Sequence, residues 1–162
     1  MATRNATQDV DRTWELMEKI GFAMLVTRDG DVMRARPMSA FVERDANAVY
    51  FLTDARRHKD EEIAAHPQVN LAFADPGDQK YVSLTGAAAV SNDRAKIKDL
   101  FSTPAKAWWD SADDPNIRVL KVTPNDAEFW DSPGSLVSYV KMATAAVTGS
   151  RPDLGDNRKV AL

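Results

Sequence analysis

Between Phe22 and Thr53 the sequence runs FAMLVT, RDGD, VMRARPMSAFV, ERDAN, AVYFLT. Three strand-like runs are thus separated only by short polar turns, and Asp29-Gly30 is a strong hairpin signal. So close a spacing leaves no room for crossover helices, and it commits this part of the chain to an antiparallel meander. Further runs extend the pattern: QVNLAFA, YVSLTGAAAV, NIRVLKVTP and AEFWD all read as strands. The small residues of YVSLTGAAAV suit a curved wall or a close backbone approach.

Helical periodicity appears between these runs. Trp14, Met17 and Ile20, with Leu16 beside them, make an apolar stripe over 11–20 that Gly21 ends. A second helix is expected from the basic segment RRHK through EEIAAH, stopping at Pro67. NDRAKIKDLF is a third, with Asn92 or Asp93 as its cap. SLVSYVKMATAAV is a C-terminal helix, and from Thr148 onward the polar sequence reads as a loose tail. The expectation is one domain over residues 1–147 with a flexible tail at 148–162. Its class is mainly β with flanking helices (α+β), closed as a small barrel rather than built from βαβ units.

Composition removes several kinds of chemistry. The chain has 162 residues and no cysteine, which excludes disulfides, zinc–thiolate sites and thiol catalysis. His58 and His66 are the only histidines, too few for a histidine-based metal centre, and no metal is expected. A formal charge of −3 argues against a nucleic-acid partner but leaves room for a local basic pocket. The N-terminus carries no apolar signal core and no segment approaches 18 apolar residues, so no membrane partner is expected and a cytoplasmic location is the default.

Two basic features stand out. In RARPM, Arg34 and Arg36 share one face of a strand, where guanidinium forks suit phosphate or carboxylate, or else simply face solvent. Pro37 confines that strand to an edge or an irregular stretch. In TDARRHKDEE, the cations Arg56, Arg57, His58 and Lys59 precede the acids Asp60, Glu61 and Glu62, the reverse of what a helix dipole favours. One reading is a solvated face with pairs Arg56–Asp60, Arg57–Glu61 and His58–Glu62. The other is an anion seated at the helix start. The turn at ERDAN pairs the arginine strand with AVYFLT as neighbours, which lets Thr53, Arg36 and Lys59 converge on one dianion.

Three of the four tryptophans come late, as Trp108, Trp109 and Trp130. Tryptophan usually packs a core, and the lesser role is stacking on a flat ring. There is no glycine-rich dinucleotide or phosphate loop, no serine–histidine–aspartate set, and no side chain that reads as nucleophile or base. Catalytic residues therefore stay unassigned, and any chemistry falls to a cofactor.

The order and spacing of RARPM, VYFLTDARRHKDEEIAAHPQVNLAF, YVSLTGAAAV, AWWDSADDPNIRVLKVTP and AEFWD resemble the pyridoxamine 5′-phosphate oxidase-like superfamily, in its bacterial general stress protein branch. The resemblance covers roughly residues 12 to 132. It implies a six-stranded antiparallel split β-barrel of the FMN-binding type, and a homodimer with the flavin at its interface. It assigns Arg36, Pro37, Met38 and Ser39 to the phosphate and ring, and Phe51, Leu52 and Thr53 to the adjoining strand end. Arg57, His58 and Lys59 align with the phosphate grip. Tyr81 replaces a glutamine that contacts the flavin, and Trp130 matches a tryptophan that reaches it from the other subunit. Trp108 and Trp109 fall near the same edge. The oxidases' Arg-x-His motif has no counterpart in DSPGSLVSYVK, which counts against oxidation of pyridoxine phosphate. The implied function is flavin redox chemistry on an unknown small molecule, with NADH or NADPH as a possible donor. The alternatives are a flavin-binding stress protein without turnover, or the same barrel holding FAD, a deazaflavin or haem.

Overall fold

The computed structural model describes residues 4–102 and 104–162. Helix α1 (Ala6–Ile20) begins five residues earlier than the apolar stripe predicts. Asn5 explains the difference. Its side chain accepts the Gln8 N–H at 2.9 Å, and the Gln8 side chain accepts the Asn5 N–H at 2.9 Å, a reciprocal cap. Gly21, at φ 70°, takes the left-handed conformation that ends the helix.

The strands are β1 (Phe22–Asp29), β2 (Val32–Ser39), β3 (Phe41–Glu43), β4 (Ala48–Asp54), β5 (Gln68–Asp75), β6 (Lys80–Ser91), β7 (Ile117–Asp131) and β8 (Asp156–Ala161). They form one antiparallel sheet in the order β2-β1-β5-β6-β7-β4-β3, with β8 also on β7. Among the described residues eight strands stand where six were expected. The two ends of this order, β2 and β3, are consecutive in sequence, so the chain itself joins the sheet's edges at Ala40. That junction curls the sheet into a split barrel.

Three local expectations are corrected. VMRARPMSAFV is not one strand: it breaks at Ala40, whose N–H donates to Gly21 O at 2.9 Å. Its first half pairs with β1 and its second with β4, so the arginine strand and β4 are not paired neighbours. Pro37 does lie on an edge strand, as its missing N–H requires. NIRVLKVTP and AEFWD are one continuous strand, β7, because β4 pairs along its first half and β8 along its second. A register shift at Thr85/Gly86 leaves Asn125 as the extra residue of β7, beside Pro124, which has no N–H to give the ladder. Lastly, the expected loose tail contains β8, with Asp131 paired to Asp156 and Asp126 to Ala161.

The barrel interior is filled by inward side chains such as Leu25, Phe51, Leu71, Phe73, Leu84, Leu120 and Phe129, capped by Trp14, Leu16 and Met17 of α1. Strand β4 is buried on both faces. Val49 and Phe51 face the barrel, while Ala48, Tyr50 and Leu52 pack under α3 (Arg94–Leu100) with Ile97, Leu100 and Trp109. Asp93 is the residue that caps α3, accepting the Lys96 N–H at 3.0 Å.

At the end of β7 three cations meet one carboxylate. Arg12 Nε donates to Asp131 Oδ2 at 2.7 Å, Arg4 Nη2 to the same oxygen at 2.9 Å, and Lys80 Nζ to Oδ1 at 2.7 Å. Arg4 also reaches Asp156 at 3.0 Å. These contacts pin β8, α1 and β6 to one point. The Asp131 carboxyl is held well below the ordinary carboxylate range by Arg12 and Lys80, against the opposing effect of its own burial.

Candidate functional site

The basic segment after β4 is not the start of a helix. Asp54 closes a 3₁₀ turn over Ala55–Arg57 by accepting the Arg56 N–H at 2.9 Å, and its carboxylate also takes the Arg56 guanidinium. Those hydrogen bonds hold the Asp54 carboxyl below its ordinary range. His58 then adopts the left-handed conformation, φ 56°, and α2 (Lys59–Ala65) starts after it. Asp60, Glu61 and Glu62 therefore occupy the helix's first turn, where the dipole favours acids. The apparent reversal comes from reading two elements as one.

The expected pairs across that segment are replaced by others. Arg56 turns back to Asp54, and His58 Nδ1 lies 3.3 Å from Glu61 Oε1. Glu62 leaves its own segment entirely. It accepts from Arg36 of β2, Nη2 to Oε1 at 3.0 Å and Nη1 to Oε2 at 3.1 Å. Thr27 Oγ1 joins them, accepting from Arg36 Nη1 at 2.8 Å and donating to Glu62 Oε2 at 3.0 Å. Arg34, on the same strand face, pairs with Asp29 at 2.8 Å instead, so the two arginines do not share an anion.

Lys59 is the unusual member of the group. Its side chain is buried, with the residue only 8% exposed, and Nζ donates to Thr53 Oγ1 at 3.3 Å. Among the described residues no carboxylate comes within ion-pair distance of it. Burial lowers its pKa, and the nearby charges of Arg36 and Arg57 lower it further, outweighing Glu62 and Asp54. A buried ammonium facing other cations is costly unless an anion completes the group. Lys59 contacts Thr53 and the charge of Arg36 reaches it, although the strands that carry Arg36 and Thr53 are not paired. Arg57 contributes charge from an exposed position beside them, and His58 is exposed.

The remaining candidates divide between two faces of the sheet. Directly opposed residues on paired strands point the same way. One outward row runs Pro37, Met24, Ala72, Ser83, Glu128, Lys159. The next contains Ala74, Tyr81, Trp130 and Asn157, with Phe22 and Ser39 opposed at the β1–β2 end. Tyr81 and Trp130 are thus cross-strand neighbours on the outer wall. Thr27 and Thr53 belong to the inward phase, with Leu25 and Phe51, and Arg36 stands opposite Leu25. The barrel wall lies between the cationic group and the aromatic pair.

Other predicted positions serve packing. Phe51 is fully buried in the barrel core, Leu52 belongs to the second core, and Met38 packs against the first. Trp109 is buried and its Nε1–H points to Asp54 Oδ2 at 3.4 Å, steadying the carboxylate that shapes the basic turn. Trp108 is 73% exposed. Thr27 and Glu62 escaped the sequence reading. Thr27 left one clue, a hydroxyl in the inward phase of an otherwise apolar strand. Glu62 left none, because its partner is 26 residues away. Among the described residues no group of side chains is arranged to hold a metal ion.

Known proteins share this architecture. The general stress protein 26 of Bacillus subtilis (strain 168) is 31% identical over 107 residues, covering 62% of this chain and 76% of that protein. The crystal structure of a general stress protein 26 from Jannaschia sp. CCS1 superposes with a TM-score of 0.80 at 28% identity, covering 98% of this chain and 100% of that one. The general stress FMN/FAD binding protein of Xanthomonas citri superposes with a TM-score of 0.67 at 24% identity, over 77% of this chain and 89% of that one. The family model described as pyridoxamine 5′-phosphate oxidase like matches residues 8–153. With its split barrel and general stress protein 26 relatives, the chain belongs to the pyridoxamine 5′-phosphate oxidase-like family.

Proposed function

We propose that this protein is an FMN-binding homodimer that carries out flavin redox chemistry on a small molecule. The observation that carries the reading is Lys59, a buried ammonium with a hydroxyl for its one described partner and with Arg36 and Arg57 close by. A phosphomonoester dianion supplies the missing counter-charge, and Lys59, Thr53, Arg57 and the part of Arg36 not engaged by Glu62 are the groups to hold it. Bound FMN would supply hydride and electron transfer that no side chain here offers. The chain's own task is to fix the phosphate and present a surface to the ring.

The aromatic pair supports the dimer. Tyr81 and Trp130 lie on the outer wall, across the sheet from the cations. One chain does not bring both groups to one ligand, whereas the outer wall of a second copy laid against the split would. A flavin binder without turnover is the second reading. It is favoured by the segment after Trp130, which folds into an apolar helix whose first basic residue is Lys141.

The test is a calorimetric titration with FMN and with riboflavin. Binding of FMN, weakened by about 100-fold in Lys59→Ala while riboflavin is unaffected, is the expected result for a lost charge-assisted phosphate contact. No FMN binding at high micromolar ligand overturns the reading. Anaerobic bleaching of the bound flavin by NADH or NADPH then separates an enzyme from a binder.

A further inference from the structure

Helix α4 (Ser135–Thr148) is built inside out. The residues it buries are Ser138 and Ala145. Its large apolar residues face away: Leu136 is 77% exposed, Val140 59% and Val147 89%. With Ala143 they recur at i, i+4, i+7 and i+11, the spacing of a helix-packing seam, and Val137 and Tyr139 widen it. The helix sits in an excursion of residues 132–155 whose base is locked. Asp131 is paired to Asp156, Arg4 bridges their two carboxylates, and Gly155 presses against the Asp131 carbonyl. Left-handed Gly149 and positive-φ Gly134 flank the helix itself.

We infer that α4 is a clasp that docks its Leu136–Val140–Val147 seam on a second copy of this chain. Charge favours that occupant over a lipid surface: the only charged residue in α4 is Lys141, whereas a helix that lies on anionic lipid carries a basic face. The chain also displays the matching surface. Phe22 (62% exposed), Met24 (38%) and Tyr81 (36%) form an uncovered apolar area on the outer wall. The excursion leaves β7 after Asp131, one residue beyond Trp130, so clasp and wall are continuous.

Area points the same way. Fourteen residues make a helix about 21 Å long and about 10 Å wide, or about 200 Å² of face, against about 800 Å² per partner in a stable interface. Seam and outer wall are therefore needed together, and a two-fold axis would use both twice. This inference shares the dimer with the proposed function, but its readouts require no flavin.

The experiment compares the full-length protein with Leu136→Glu/Val147→Glu by sedimentation velocity without ligand. A wild-type dimer whose dissociation constant rises about 30-fold or more in the variant, at unchanged circular dichroism, is expected. A variant dimer as tight as wild type overturns the clasp, as does a wild-type monomer at all concentrations. Binding of monomer to vesicles of phosphatidylcholine and phosphatidylglycerol through α4 overturns it too. Should the double variant misfold, Val147→Cys decides alone, since the chain has no other thiol. Its maleimide labelling should be slow at high protein concentration and fast on dilution; a concentration-independent rate overturns the inference. Failure to bind FMN alters none of these outcomes.

Discussion

Arg36 and Glu62 meet through two parallel hydrogen bonds, 3.0 and 3.1 Å long, that tie an edge strand to a short helix. Their side chains are 28% and 13% exposed, so the pair is mostly withdrawn from water. Glu62→Gln keeps an acceptor but removes the charge that holds the fork. A loss of about 1–3 kcal/mol is expected, typical of a weakened charged hydrogen bond, and urea unfolding midpoints measure it.

Lys59 predicts the opposite sign. Its folded pKa is depressed, so protonation favours the unfolded chain, and in the absence of an anion the charge lowers stability at neutral pH. That penalty fades as pH rises through the folded pKa. Lys59→Met, similar in volume and uncharged, should melt at or above the wild-type temperature at pH 7. Inorganic phosphate should raise the melting temperature of wild type and leave the variant unmoved, and FMN should raise the variant's by less than the wild type's. A variant less stable than wild type, or equally stabilised by phosphate, would contradict this account.

Asp131 sets the acid limit. Its side chain is 6% exposed and takes hydrogen bonds from Arg4, Arg12 and Lys80. Its folded pKa lies below the ordinary 3.8, so its contribution is complete above that value and is lost as pH falls towards the folded one. Asp131→Asn should cost about 3 kcal/mol at pH 7, because three cations lose a common partner. The same substitution should flatten the decline in stability below pH 4, which acid titration followed by tryptophan fluorescence will show.

Gly86 marks a close approach of strands. A Cβ added there would come within 2.5 Å of Thr123 O and 2.9 Å of Val122 Cγ1, both on β7. Backbone is rigid at the centre of a sheet, so Gly86→Ala should destabilise by about 1–3 kcal/mol, read from the same urea curves.

Much of the barrel was readable because strand signals are local. FAMLVT and AVYFLT announce themselves, and Asn92-Asp93 announces the α3 cap. What failed depends on distant partners. The break at Ala40 arises because one half of the run finds β1 and the other β4, which no window of sequence reveals. The same holds for β8, a polar stretch that becomes a strand only because the second half of β7 offers an open edge. At the candidate site, Arg36, Thr53 and Lys59 were singled out from charge, but the strand pairing expected to join them does not exist, since β2 pairs with β1 and β4 with β3 and β7. Glu62 was given the wrong partner because a helical spacing was assumed across His58, where the backbone reverses hand.

The split has a shape that follows from Ala40. Strands β2 and β3 part company there, and Arg36, four residues back along an extended strand, lies about 13 Å from that pivot. A swing of ten degrees at Ala40 carries the guanidinium about 2 Å relative to Thr53 and Lys59. The fork to Glu62 resists such a swing, so the span between the cations is set at both ends, by the bend at Ala40 and by a latch on α2, in the way a gate is held by its hinge and its bolt together.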